Sequence, residues 1–392
     1  MNILYLAHCV PAPPDKGERI RAHHELRQLA DHHAIHLVCF ARSAEEAAHA
    51  QELGLTCASV YVEILPPWRA LIRAAVRFGL GGCLNVSYFS SSRMKRHVAE
   101  LVQSQRLDVA LAYTAVMAPY APAGMPMVMD MVDVDSEKWL AYGKLRTPGF
   151  LYRLEAKRLR AEELKLASRA RMVFLTTENE SKVFRTFAPD LPVEVMESGV
   201  DFEYFDPEKV TPGPELQGRR FLVFVAAFNY FPNWDGACWF AANIFPDLRR
   251  EDPRLELLLV GRNPSSEVLN LGRQPGITVT GTVADIRPYL AASVAAVAPL
   301  RIARGIQSKI LESLAMGRHA LISPAAALTF GATLPDGVAV CSTVDDYRSA
   351  LARAETGESP RNAAREHYSW EQNLKRLGIA VEEAGQKSAA NP

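Results

Sequence analysis

The sequence predicts an α/β protein of two parallel-sheet domains facing across a cleft, and three observations carry that prediction. Short apolar runs of strand length alternate with longer runs of helical periodicity from the first residues to about residue 383, the pattern of strands joined by crossover helices. The alternation breaks at Asp206 to Arg220, a stretch rich in proline, glycine and charge with little periodicity. Apolar residues make up 48% of 392 residues, enough for two cores at the usual domain size of about 150 residues. The predicted division is an N-terminal domain 1–205, a linker 206–220, a C-terminal domain 221–370, and a last helix with tail 371–392.

Asn2 to His8 reads as a buried strand, with Ile3, Leu4 and Leu6 supplying the bulk. Its prolines end it in the loop PAPPDKGERIRA, where Gly17 permits a tight turn, and a helix from about Glu18 to Ala30 leads to a second strand, Ala34 to Phe40. Ligands of such sheets bind beyond the strand carboxyl ends, so Asp15 to Arg21, including Lys16 and Gly17, are expected at the rim. The loop has neither G-x-G-x-x-G nor G-x-x-x-x-G-K-S/T, which leaves NAD and P-loop nucleotides unsupported.

Pro66 to Leu80, PPWRALIRAAVRFGL, reads as a basic amphipathic helix with Arg69, Arg73 and Arg77 along one stripe. Two readings stay open: the apolar side packs on its own domain, or it lies on an anionic membrane surface. Strands are expected at Val109 to Tyr113 and Met127 to Met131, and Asp130, Asp133, Asp135, Ser136 and Glu137 follow at a strand end. Carboxylates there could orient an acceptor hydroxyl or bind metal, and Asp135 or Ser136 is also a good helix N-cap.

In the second half, Phe221 to Ala227 opens a new buried strand, NYFPNWDG is its loop, and Ala237 to Leu248 its helix. Leu255 to Val260 is a strand ending in Gly261 and Arg262. The segment PLRIARGIQSKILESLAMG concentrates the chemistry. A buried strand, Val294 to Leu300, runs into a loop with Arg301, Arg304 and Gly305, then into a helix from Ser308 to Met316. Lys309 and Glu312 lie about one turn apart near the helix start, where unpaired N–H groups and the positive dipole end favour an anion. Three cations precede Glu312 with no carboxylate among them, which suits a phosphate-rich ligand whose hydroxyls reach Glu312. The plainer reading is a solvated basic loop capping an ordinary helix.

The formal net charge is zero, which argues against a bulk polyanion partner such as nucleic acid. The six cysteines are scattered without C-x-x-C pairs or zinc spacing, so reduced thiols in a cytoplasmic protein are expected. No apolar stretch approaches the ~20 residues of a membrane span, and the N-terminus lacks a signal-peptide pattern.

ESGVDFEYFDP, VGRNP after a strand, VTGTVADIRPYLAAS, KILESLAMGRHALIS and YSWE follow one another in an order and spacing that resemble GT-B fold retaining glycosyltransferases of group 1, family 4. The opening PPDKGERIR resembles that family's sugar-site glycine loop, and the style is similar to sugar transferases of bacterial exopolysaccharide clusters. The resemblance implies two Rossmann-like domains and transfer of a sugar from a nucleotide-sugar donor to a hydroxyl of a glycan or lipid-linked acceptor, with no cofactor and no metal required. Glu312 matches the second glutamate of the family's paired motif, and Arg304 stands where the first is expected. The resemblance therefore names Glu312, Arg304 and Asp133 as catalytic candidates. It assigns Arg262, Arg301, Gly305, Lys309, Glu312 and Asn229 to the donor, and Lys16, Gly17, Arg21 and Asp135 to the acceptor or sugar loop. It also implies a cytoplasmic location, with peripheral attachment at the inner membrane face open. Two alternatives remain: a scaffold that binds nucleotide sugars without chemistry, and a nucleotide-sugar epimerase.

Overall fold

The computed structural model describes residues 1–14, 17–145, 147–303, 307–330 and 333–389. Arg304, Gly305 and Lys16, three of the residues singled out above, lie outside the described residues. The chain divides into two compact units, one of Met1–Glu197 with the segment from Leu374 onward, the other of Ser198–Asn373.

The first unit is built on seven parallel strands among the described residues: β1 (Asn2–Ala7), β2 (Ala34–Ala41), β3 (Ser59–Ile64), β4 (Val109–Tyr113), β5 (Met127–Val132), β6 (Met172–Leu175) and β7 (Val193–Val195). Their order is β3-β2-β1-β4-β5-β6-β7. The central strands carry continuous apolar runs because helices cover both faces; Ile3, Leu4, Leu6, Val109, Leu111, Val128 and Met129 are all fully buried. The helices that matter below are α1 (Gly17–Ala30), α2 (Pro67–Gly79), α3 (Leu84–Tyr88), α4 (Ser92–Ser104), α5 (Asp135–Leu145) and α6 (Gly149–Ala167).

One buried polar cluster ties this unit together. The Arg21 guanidinium on α1 donates to Asp130 at the end of β5, at 2.5 and 3.2 Å, and lies 3.3 Å from Glu25. Tyr5 on β1 donates to Glu25 at 2.8 Å. All four side chains are buried, which corrects the expectation that Arg21 stands at an open rim. The helix turns it inward, onto a carboxylate 109 residues away that needs a counter-charge.

The second unit has six parallel strands among the described residues: β8 (Arg220–Val225), β9 (Leu255–Val260), β10 (Ile277–Gly281), β11 (Ala295–Ala298), β12 (Ala320–Ile322) and β13 (Val338–Val340). The order β10-β9-β8-β11-β12-β13 repeats the 3-2-1-4-5-6 arrangement of the doubly wound fold. Two helices here hold the candidate site, α7 (Phe231–Asn243) and α8 (Ser308–Ala315). Residues 206–220, expected as a linker, are held to this unit, with Leu216 buried in its core beside Phe202 and Phe205. Arg361 fastens the start of that stretch, 3.7 Å from the Asp206 carboxylate, and donates to the Phe202 carbonyl just before it at 2.8 Å. The last helix, α9 (Lys375–Ala389), belongs to the first unit, where Leu377, Ala380, Val381 and Ala384 are buried.

Candidate functional site

In both sheets the strand order reverses beside the first strand, between β1 and β4 and between β8 and β11. Crevices at the carboxyl ends of such strand pairs are where doubly wound sheets bind ligands.

At the β8/β11 reversal, α7 begins at Phe231, six residues before its predicted start, with Pro232 in its first turn. Proline is at home there, since its missing N–H has no intrahelical role. Gly236 lets the helix come close to the β11 exit: a Cβ on it would stand 2.8 Å from the Pro299 carbonyl oxygen. Asn233 and Asp235 are therefore helix residues that face the exit of β11, not loop residues. Asp235 accepts two hydrogen bonds from Arg301, at 2.8 and 2.6 Å. Asn233 accepts from the Lys309 ammonium at 2.9 Å, while its own amide donates to the Ala227 carbonyl at 2.9 Å. Lys309 also lies over the Phe224 ring, 5.6 Å from its centre.

Glu312 is 8% exposed, one turn beyond Lys309 on α8. Burial pushes its carboxyl up to about 7 against the pull of Lys309. Burial likewise lowers Lys309 to about 8 against the opposing effect of Glu312. Among the described residues no hydrogen bond reaches the Glu312 carboxylate, and no side chain caps the first turn of α8 at Gln307. The result is an enclosed, uncommitted acceptor beside an ammonium and a helix start.

The neighbouring exits converge on the same place. Gly261 holds φ +147°, and a Cβ on it would stand 1.8 Å from the Ala226 carbonyl oxygen, so no other residue fits there. The Phe228 amide donates to the Arg262 carbonyl at 3.0 Å, fixing Arg262 beside the 226–229 loop, where Asn229 is exposed. Tyr204 stacks under Arg287 at 3.9 Å, and Arg287 is held by Asp285 at 2.6 Å. Burial, then the charges of Asp285 and Glu312, push the Tyr204 phenol up, which places Tyr204 within reach of the Glu312 charge. The structure thus gathers Arg301, Lys309 and Glu312 and adds Asn233, Asp235, Arg287 and Tyr204, which the sequence did not single out. The proline at position 232, read as a first-turn residue, is the signal that would have moved Asn233 and Asp235 onto a helix.

At the β1/β4 reversal of the first unit stand His8 and Thr114, with Thr114 Oγ1 3.4 Å from His8 Nδ1. The His8 ring stacks on Tyr113 at 5.5 Å, and its Nε2 lies 3.6 Å from Glu18. Thr114 and Val132, at the exits of adjacent strands β4 and β5, both hold positive φ, 70° and 68°. A β-branched residue in that region is strained, and such strain gathers at functional sites. Just after Val132, Asp133 accepts from Thr176 at 2.9 Å, and desolvation pushes its carboxyl up. Asp135 opens α5 and accepts from Asn85 at 3.2 Å, and Gly17 is the first residue of α1. Among the described residues no group of three His, Cys, Asp or Glu side chains is placed to hold a metal ion.

Residues 219–355 match the family model described as "Glycosyl transferases group 1". No curated protein sequence matches the chain. Among solved structures, sucrose-phosphate synthase from Thermosynechococcus elongatus shares 15% identity and a TM-score of 0.66, over 97% of this chain and 98% of that one. HepE of Anabaena in complex with UDP-glucose shares 14% identity and a TM-score of 0.65, over 98% and 100% of the two chains. The α,α-trehalose 6-phosphate synthase of Burkholderia multivorans shares 11% identity and a TM-score of 0.65, over 99% of each. Residues 219–355 of the second unit are thus similar in sequence to group 1 glycosyltransferases, and the chain shares with these solved structures the GT-B fold of two doubly wound parallel sheets.

Proposed function

We propose that the chain is a retaining, family 4-type hexosyltransferase that moves a sugar from a nucleotide-sugar donor to a hydroxyl of a glycan or lipid-linked saccharide, in building a polysaccharide such as an exopolysaccharide. The observation that carries this reading is Glu312: an enclosed carboxylate without a hydrogen-bond partner among the described residues, beside Lys309 at an uncapped helix start. A ribose diol satisfies such a carboxylate with two charge-assisted hydrogen bonds, and a diphosphate satisfies the ammonium and the helix N–H groups. HepE, with the same fold, was solved with UDP and with UDP-glucose, which supports a nucleotide-sugar donor here.

In the proposed reaction the bond between the sugar's anomeric carbon and the diphosphate oxygen breaks. The acceptor oxygen bonds to that carbon on the same face, and its proton leaves with the diphosphate. Lys309 and Arg301, with Arg304, Gly305 and Arg262, hold the departing charge, and Asn229 borders the donor; no cofactor or metal enters. Arg301 serves only by sharing itself with Asp235, its present partner. Lys16, Gly17, Asp133 and Asp135, together with His8, form the acceptor side. A binder without chemistry is the second reading, favoured by Arg304 standing where the resemblance places a glutamate.

Donor affinity measured by calorimetry across pH tests the site. Glu312 accepts ribose hydroxyls as a carboxylate, so affinity rises as pH climbs through about 7. Lys309 binds phosphate as an ammonium, so affinity falls as pH climbs past about 8. A bell centred between those values is expected, the two flanks belonging to the coupled pair. An affinity flat from pH 6 to 9 contradicts the assignment. Turnover of donor with acceptor into an anomer of unchanged configuration, read by NMR, separates the transferase from the binder.

A further inference from the structure

We propose that α2 is a docking surface for an anionic phospholipid bilayer. The helix sits on its unit with its small side inward: Ala70 and Ala74 are buried, and they are the only buried residues of α2. Its large apolar residues point outward. Trp68, Leu71, Ile72 and Val76 are 59–61% exposed, and Leu80, just past its end, is 82% exposed. At about 100° per residue these side chains form one continuous face, roughly opposite the two alanines. The reading in which the apolar side packs on its own domain is thereby corrected. Its bulk is not in the core, because a pair of alanines already makes the close contact.

A soluble protein seldom leaves such a contiguous apolar face uncovered. The face widens at the carboxyl end of α2. Arg158 on α6 donates to the Phe78 and Gly82 carbonyls, at 2.7 and 3.1 Å, and stacks on the Phe78 ring at 4.5 Å. One and two turns before Arg158 on α6, Leu154 and Phe150 are also exposed, with Leu151 beside them.

Charge decides the occupant. Over residues 64–99 the chain has Arg69, Arg73, Arg77, Arg93, Lys95 and Arg96 and no aspartate or glutamate, in a protein whose net charge is zero. Arg69 is exposed on the flank of the apolar face and lies over the Trp68 ring at 4.9 Å, and Arg77 is exposed near the carboxyl end of the helix. Arg73 is turned back to the Ser87 and Tyr88 carbonyls and anchors the helix. Arg93, Lys95 and Arg96 are exposed on α4, whose cap residue Ser91 donates to Glu63 at 2.7 Å, beside the entry to α2. A broad apolar face led by a tryptophan and bordered by cations of one sign matches the boundary between headgroups and acyl chains. It does not match a protein groove, which would ask for mixed charge. Among the described residues no helix is long and apolar enough to cross a membrane, so the contact is one of lying on the surface.

The surface belongs to the first unit and the candidate donor site to the second, and its test uses no sugar. The protein is spun with vesicles of phosphatidylglycerol and phosphatidylcholine, or of phosphatidylcholine alone. Co-sedimentation with the anionic vesicles is expected, at least tenfold weaker without phosphatidylglycerol and weakened by salt. Trp68→Ser with Ile72→Ser is expected to lose at least tenfold in binding at an unchanged melting temperature. Arg69→Glu with Arg77→Glu, both exposed, is expected to lose the dependence on phosphatidylglycerol. Wild type left in the supernatant with anionic vesicles overturns the proposal, as does undiminished binding by the serine pair. A self-association seen by sedimentation velocity and broken by the serine pair, without vesicle binding, assigns the face to a second copy and overturns it too.

Discussion

Replacement of Glu312 by alanine is expected to weaken nucleotide-sugar binding about 100-fold while leaving the free protein folded. Two charge-assisted hydrogen bonds to ribose hydroxyls are worth about 1.5–3 kcal/mol each. The carboxylate starts from an unfavourable position, however. Its pKa is raised to about 7 in the folded chain, so at neutral pH part of the binding free energy goes to ionising it. The net is smaller than the sum of two bonds, which sets the estimate near two orders of magnitude. The same shift fixes the sign of the stability effect. A carboxyl raised in the folded state favours folding while protonated, and that contribution is lost as pH rises through about 7. At pH 8 the Glu312 charge is a cost, so its removal does not lower the melting temperature by loss of an ion pair. Calorimetric titration with nucleotide sugars, beside thermal unfolding of the unliganded variant, checks both halves. Wild-type affinity in the variant removes Glu312 from the site.

Replacement of Arg21 by alanine is expected to destabilise the N-terminal unit by about 3–5 kcal/mol, the range for removing one partner of a buried ion pair. At about 2–4 °C per kcal/mol, thermal unfolding should begin on the order of 10 °C earlier. Burial works against the Arg21 charge, but Asp130 and Glu25 more than offset it and raise its pKa. Glu25 is itself raised, first by burial and then by Asp130, while Arg21 pulls the other way. Without Arg21 the Asp130 and Glu25 carboxyls are buried together beside Tyr5 and Tyr113 without the guanidinium that bonds and pairs them. Adding Asp130→Leu to Arg21→Ala should recover part of the loss, since the buried carboxyl left without its donor goes with it. A loss below about 1 kcal/mol for Arg21→Ala would show that the cluster relaxes or hydrates.

The parts of this molecule that periodicity controls were legible in the sequence. The apolar runs of β1, β2, β4, β5, β8 and β9 mark buried parallel strands, and the strand that leads into Arg301 and the helix of Lys309 and Glu312 fall where the pattern puts them. What was not legible depends on contacts distant in sequence or on a sign that a pattern lacks. Arg21 looks like a rim residue from its loop, and only the pairing with Asp130, 109 residues on, shows it inside. His8 and Thr114 are 106 positions apart and meet because β1 and β4 are neighbours, which no local signal states. Asn233 and Asp235 were read as loop because Tyr230 offers no side-chain cap to announce a helix. The amphipathic pattern of α2 shows that one face differs from the other. It does not show which is covered, and here the alanines are.

The central claim is that a nucleotide sugar sits at the carboxyl ends of β8 and β11, against α8. Hydrogen–deuterium exchange with and without a nucleotide sugar tests it most directly. Slowed exchange confined to the first turn of α8 and to residues 226–236 of the second unit is the expected result. Protection at the opposite strand ends, around Arg219 and Arg254, or none at saturating donor, would contradict it.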